Sequence, residues 1–304
     1  MSSAGMTLVT GAGGGTGGVG RTAVELLRGR DLPVRALVHH DDERAGPLRA
    51  AGAEVVVGDL TSGADVVRAM DGCRRVYFGM SVSPSYLQAA AVVGAAGRAA
   101  GDLELLVNMS QMTVSQMSLT STGESAQQHL HWLGEQILDW SGLPVAHVRP
   151  TVFLENPLFR ILALGTIRRD GTIRLPFGSE RTSPVAAEDV AAVVAALLTE
   201  GRKPDVYELT GRRAQRMDEM AAELTKTLGR PVRYVDVAYD EWVRHDLEPL
   251  GLPAHVEQHV ATMARLHAEG RYNRETDTVE RLLGRPPATA GDVFSDWLDA
   301  PRGS

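Results

Sequence analysis

The stretch LVTGAGGGTGGVGR (residues 8–21) constrains this chain more than any other. It places a glycine-rich turn between a short apolar run, Met6–Thr10, and a segment of helical spacing over residues 19–30. Gly15, Gly17 and Gly20 satisfy G-x-G-x-x-G, and Gly14, Gly17 and Gly20 satisfy G-x-x-G-x-x-G. So many glycines make some match inevitable, and the weight lies in the context. A first strand, a glycine turn and a helix N-terminus together bring backbone amides close to a pyrophosphate. The reading this favours is a dinucleotide-binding unit, against a flexible turn with no ligand.

Strand and helix signals then alternate through residue 151. Strands are expected at 33–38, 53–60, 74–80, 103–110 and 144–151, and helices at 63–72, 86–101 and 125–142, with a weak helix before residue 53. Short apolar strands separated by helices predict a parallel sheet covered on both faces. The expected fold is α/β, a doubly wound parallel Rossmann sheet in the order 3-2-1-4-5-6. Residues 1–151 form the expected dinucleotide-binding domain. Residues 152–304 are expected to be a smaller, mainly helical substrate cap packed on it, with strands at 172–176, 205–211 and 231–237 and helices at 188–200 and 218–229.

The composition excludes several classes. Net charge is −7 and no basic run occurs, which argues against nucleic acid. No apolar run of about 18 residues lacks charge, so the expectation is a cytoplasmic protein without a membrane span. Cys73 is the single cysteine, so neither an intrachain disulfide nor a cysteine-based zinc site can form. A buried structural thiol is the favoured reading of it. No H-E-x-x-H accompanies the histidines, and no metal is expected.

Over essentially its whole length the sequence resembles the NmrA-like branch of the atypical short-chain dehydrogenases. The resemblance rests on the glycine turn, PVRALV (33–38), VVVGDL (55–60), EQILDWSGLPVAHVRPTVFLENPL (135–158), IRLPFG (173–178), SPVAAEDVAAVVAALLTE (183–200), VYELTG (206–211) and LLGRPPAT (282–289), in order and spacing. The family pattern T-G-A-T-G-x-x-G departs here: Thr10-Gly11-Ala12 is followed by Gly13-Gly14-Gly15 and only then by Thr16-Gly17-Gly18-Val19-Gly20. Gly13–Gly15 reads as a three-residue insertion that either bulges outward or reshapes the site.

The resemblance implies that Gly11, Gly14–Gly18, Val19 and Gly20 hold a dinucleotide. It also implies that Asp59 and Leu60 lie by the adenine, that Gly79, Met80 and Ser81 pass the ribose and diphosphate, and that Thr151, Val152 and Phe153 lie near the nicotinamide. For Asp59 the competing reading is a helix N-cap. His39 stands where a carboxylate would select NAD, so NADP is the expected cofactor, with NAD as the alternative.

Ordinary short-chain dehydrogenases pair a tyrosine with a lysine four residues later to lower the phenol pKa. The only lysines here are Lys203 and Lys226, so that pair is absent. Ser110, at the end of strand five, and His131 are the candidate catalytic groups. His131 and Glu135 share a helix face at i,i+4. Gln111, Met112, His129, Phe153 and Asn156 are the candidate substrate contacts. Two functions are compatible with this inventory. One is a reductase passing hydride to a quinone or other conjugated aromatic molecule, with aromatic polyketide tailoring as a narrower role that the resemblance implies. The other is a non-catalytic dinucleotide sensor acting through a protein partner. A homodimer is compatible with the sequence.

Overall fold

The computed structural model describes residues 5–14, 18–201 and 203–299. The first half alternates as β1 (Met6–Val9), α1 (Val19–Arg28), β2 (Val34–Val38), α2 (Ala45–Ala50), β3 (Glu54–Val57), α3 (Gly63–Met70), β4 (Cys73–Phe78), α4 (Tyr86–Ala100), β5 (Leu105–Met109), α5 (Ala126–Trp140) and β6 (Val145–Pro150). The second half carries α6 (Leu164–Asp170), β7 (Thr172–Leu175), β8 (Arg181–Thr182), α7 (Ala187–Thr199), β9 (Val206–Leu209), β10 (Gln215–Arg216), α8 (Met217–Leu228), β11 (Arg233–Asp236), α9 (Tyr239–Trp242), α10 (Ala254–Ala268), α11 (Thr278–Leu283) and α12 (Ala290–Asp299).

Among the described residues the central sheet has seven strands in the order β3-β2-β1-β4-β5-β6-β9, all parallel. It is the doubly wound Rossmann sheet, extended by one strand. Alternation along the strands divides the core. Val9, Ala36, Tyr77 and Val107 face the layer of α1, α7 and α11. Leu8, Leu37, Val76, Phe78 and Leu106 face the layer of α3, α4 and α5. Burying both faces explains why these strands read as near-continuous apolar runs.

The sheet does not end at residue 151. β9 pairs with β6, and α7 packs beside α1, so part of the second half belongs to the Rossmann core. The remainder forms a separate core around Phe159, Phe177, Trp242 and Phe294. Two small sheets join it, β7 with β11 in parallel and β8 with β10 antiparallel. α10 lies against α5, which brings this region over the carboxyl ends of β1, β4, β5 and β6. Cys73 is buried at the start of β4, and burial pushes its thiol up to about 11.

Candidate active site

A cleft runs along the carboxyl edge of the sheet. Its inner half is lined by the ends of β1, β4, β5 and β6, by the start of α1, and by α10. Its outer half is lined by the ends of β2, β3 and β4. Gly11, Gly14, Gly79, Met80 and Ser81 border both halves, so the two are continuous.

Glycine makes the closest packing of this region possible. A Cβ on Gly20 would lie 2.9 Å from the Thr10 carbonyl oxygen and from the Gly11 carbonyl, so only hydrogen lets α1 start against the end of β1. Gly11 is left-handed at φ 64°, and a Cβ there would meet the Gly79 carbonyl oxygen at 2.6 Å. The Thr10 hydroxyl bridges the same gap, accepting from the Gly79 N–H and bonding its carbonyl, both at 2.9 Å. α1 has no acidic residue in its first turn, and its N-cap Gly18 offers no side chain. Its first amides and the positive end of its dipole therefore remain for an anion. These features fit the pyrophosphate of a dinucleotide.

Gly15, Thr16 and Gly17 lie outside the described residues. Gly13 and Gly14 border the cleft, so the described part of the glycine insertion faces the site and does not bulge away from it. Gly18, Val19 and Gly20 line the inner half.

The outer half collects His39, Asp59 and Leu60, and with them Arg44. His39 Nε2 lies 4.0 Å from Asp59 Oδ2, and the His39 and His40 rings sit 4.1 Å apart. Asp59 is not a helix cap. Its carboxylate accepts from the Thr61 N–H and hydroxyl, both at 2.8 Å, and these bonds hold it below the usual carboxylate range. The cap of α3 is Ser62, whose hydroxyl accepts from the Asp65 N–H. Arg44 is held by Asp42, whose carboxyl it draws down to about 2. Arg35 points elsewhere, to Glu54 and to the carbonyls of Ala69 and Asp71.

The inner half brings together Ser110, Gln111, His131, Thr151, Val152, Phe153 and Asn156. Thr151 is pinned through its hydroxyl to the Ser183 carbonyl at 2.6 Å. Asn156 accepts from the Leu158 N–H at 3.0 Å, which turns its amide nitrogen towards the Met263 sulfur. Two side chains lining this half, Ser110 and His131, each carry a buried polar atom without a hydrogen-bond partner, Oγ and Nδ1 respectively. Native interiors rarely leave such atoms unmatched, so a ligand is the natural complement. Burial, with a smaller contribution from neighbouring His259, pushes the His131 imidazole down to about 3. It is neutral at physiological pH. Its ring packs on Tyr86 at 4.1 Å.

The expected His131–Glu135 pairing does not form. Glu135 is buried and takes Arg149 of β6 in a two-pronged ion pair, with Nε to Oε1 at 2.9 Å. Two expected substrate contacts do not border the cleft. Met112 is fully buried in a 3₁₀ turn after β5. His129 directs its ring nitrogens to the Ser121 and Ser125 carbonyls. Conversely, Tyr77, His259, Met263 and Tyr272 line the inner half and were not picked out from the sequence. Their only sequence signal is the four-residue spacing of His259 and Met263, which puts both on one face of α10.

No Asp, Glu, Lys or Arg occurs among the described residues that line the inner half. Among the described residues no cluster of three His, Cys, Asp or Glu side chains could hold a metal, and no helix is long and apolar enough to cross a membrane.

A Rossmann sheet, a glycine turn at a helix start, and an adjoining compartment lined by polar groups are the features of a dinucleotide-dependent oxidoreductase. The comparisons agree. The model of the NAD(P)H-binding family matches residues 14–201. An NAD(P)H azoreductase of Xenophilus azovorans is 30% identical over 279 residues, covering 91% of this chain and 93% of the azoreductase. A (4-alkanoyl-5-oxo-2,5-dihydrofuran-3-yl)methyl phosphate reductase of Streptomyces griseus is 32% identical over 295 residues, 96% of each chain. The NADPH complex of the quinone oxidoreductase QOR2 of Escherichia coli superposes with a TM-score of 0.80 at 24% identity, covering 97% of this chain and 100% of QOR2. The chain belongs to the NAD(P)H-binding family. It is an NAD(P)H-dependent oxidoreductase.

Proposed function

We propose that this enzyme uses NADPH to reduce uncharged, conjugated acceptors of the quinone type, with Ser110 and His131 as the groups that meet the acceptor. The observation that carries this reading is the inner cleft itself, whose described lining residues include no Asp, Glu, Lys or Arg but do include Ser110 and His131, each with a buried polar atom without a partner. Bound reduced cofactor supplies the hydride.

The chain's own residues then have a limited task. Hydride addition to a simple ketone leaves an alkoxide, which needs a positioned acid. Here no lysine stands near a tyrosine of the cleft, and burial pushes the Tyr77 and Tyr272 phenols up. They stay protonated and exchange no proton readily. A quinone that accepts hydride becomes a hydroquinone anion whose charge spreads over the ring. Neutral hydrogen-bond donors suffice to stabilise it, and solvent supplies the proton. The Ser110 hydroxyl can donate such a bond. His131 can donate or accept according to its tautomer, because its neutral ring protonates only near pH 3.

The Streptomyces relative reduces a phosphate ester. A phosphate in the inner cleft of the present chain would find no cation among the described lining residues. The preference expected here is for uncharged acceptors. At the outer half, His39, His40 and Arg44 favour the 2′-phosphate of NADPH over the free diol of NADH.

Initial rates of NADPH oxidation with menadione, with a cyclic ketone of similar size and with a phosphate-bearing naphthoquinone test the proposal. Menadione should be turned over readily and the other two poorly. Equal rates with the ketone, or a preference for the phosphorylated quinone, would refute it.

A further inference from the structure

We infer that His259 and Tyr272 are specificity-determining residues that present neutral hydrogen-bond donors to the acceptor, and that the N-cap of α5 sets both donors. The inference rests on the quinone reading above and adds the C-terminal half of the chain to the site.

The cap is a reciprocal pair. Ser125 Oγ accepts from the Gln128 N–H at 3.2 Å, and Gln128 Oε1 accepts from the Ser125 N–H at 2.8 Å. Both residues are fully buried. The cap therefore commits one oxygen on each side chain, and the remaining atoms point onward.

On Ser125 the hydroxyl hydrogen remains. Among the described residues its one acceptor is His259 Nδ1, at 2.7 Å. A buried hydroxyl that left its hydrogen unused would forfeit a hydrogen bond with no water to replace it. His259 Nδ1 is thus the acceptor, and the ring proton resides on Nε2. Burial supports this assignment, because it holds the imidazole neutral down to about pH 4.

On Gln128 the amide nitrogen remains. It faces Thr113 Oγ1 at 3.2 Å and the Tyr272 hydroxyl at 3.5 Å. Tyr272 is the acceptor in that contact, so its own hydrogen is uncommitted. Its ring is fixed by stacking on His267, with centroids 4.0 Å apart at 17°.

His259 and Tyr272 both line the inner cleft and are almost fully buried there. One helix cap thereby turns two side chains of the C-terminal region into donors at the compartment that already holds Ser110 and His131. A wall of neutral donors matches a ligand whose polar atoms are carbonyl oxygens. It matches poorly a ligand that offers hydroxyls at the same points.

The test is menadione binding to the enzyme saturated with NADP+, where no hydride is available, alongside NADP+ binding itself. Tyr272→Phe keeps the stack and removes only the hydroxyl, and His259→Phe removes the ring donor. Each should weaken menadione binding about tenfold and leave NADP+ affinity unchanged. Ser125→Ala, which acts through His259, should weaken menadione binding as well, and Ser125→Thr, which keeps the hydroxyl, should restore it. Thermal melting shows which variants remain folded. Unchanged menadione affinity in both Tyr272→Phe and His259→Phe would overturn the inference, as would absence of menadione binding to the unmodified enzyme. If the binding pattern holds but NADPH is not consumed with menadione, the donor assignment stands and the quinone-reductase reading fails.

Discussion

Gly20 sets the distance between the first helix and the first strand, and with it the position of the amides that meet a pyrophosphate. A valine there drives its Cβ into the Thr10 and Gly11 carbonyls, which are backbone and cannot swing aside. Gly20→Val should lower NADPH affinity at least about tenfold, measured by calorimetry, with a lower melting temperature. Arg44 acts through charge. Its removal in Arg44→Ala should weaken NADPH about tenfold and leave NADH unaffected, because only NADPH carries the 2′-phosphate. Equal losses for both cofactors would place that phosphate elsewhere. At this scale the sequence was partly legible. Ser110, Gln111 and His131 border the inner cleft, since strand ends and the next helix are fixed by topology, and Asn156 borders it from the connection after β6. The His131–Glu135 pairing was misleading, because i,i+4 spacing says nothing of Arg149 across on β6. His259 and Tyr272 were illegible for a related reason. Their placement depends on how a C-terminal helix docks on α5, and no local pattern encodes that.

At the scale of elements, α5 carries two separate duties. Its N-terminal turn organises the cleft, while its middle turn is clamped to β6 by Glu135 and Arg149. Glu135 is 1% exposed and Arg149 17% exposed, so the pair is largely shielded from water. Removing the acid strands the guanidinium. Glu135→Ala should cost about 3 kcal/mol in urea unfolding, whereas a Glu135/Arg149 double replacement by apolar residues should recover much of that loss. A loss below about 0.5 kcal/mol would show the pair to be no stronger than a surface bridge. The alternation of strands and helices up to β6 was readable because buried parallel strands leave short apolar runs between helices of 3.6-residue period. β9 was readable as a strand but not as the seventh member of the sheet, because its partner β6 lies more than fifty residues earlier. The two-stranded sheets β7–β11 and β8–β10 were hidden likewise, since pairing across a long gap leaves no local mark.

At the scale of the whole molecule, three of the buried histidines tie stability to pH. Burial pushes His131 and His267 down to about 3 and His259 down to about 4, from an ordinary value of 6.5. Above pH 6.5 folded and unfolded chains are both neutral at these sites, and nothing is lost. Below it, the unfolded chain binds protons that the folded chain refuses. Stability then falls by up to about 1.4 kcal/mol per pH unit for each histidine until the folded-state values are reached. Thermal melting should therefore be flat near neutrality and drop steeply between pH 6 and about pH 4.5. His267→Phe keeps the stacked ring between Phe177 and Tyr272 and should make that drop shallower. An unchanged slope would contradict the buried, neutral assignment.

The central claim joins these scales: a glycine turn holds NADPH, and a neutral donor-lined compartment receives a conjugated acceptor beside it. A single-turnover experiment tests it most directly. Enzyme carrying one equivalent of NADPH is mixed anaerobically with menadione or with the matched ketone, and the loss of nicotinamide absorbance is followed. The account predicts rapid loss with menadione and almost none with the ketone. It also predicts at least about tenfold slower loss for His131→Ala, at unchanged NADPH affinity. Equal loss with the ketone, or no loss with either acceptor despite tight NADPH binding, would contradict it.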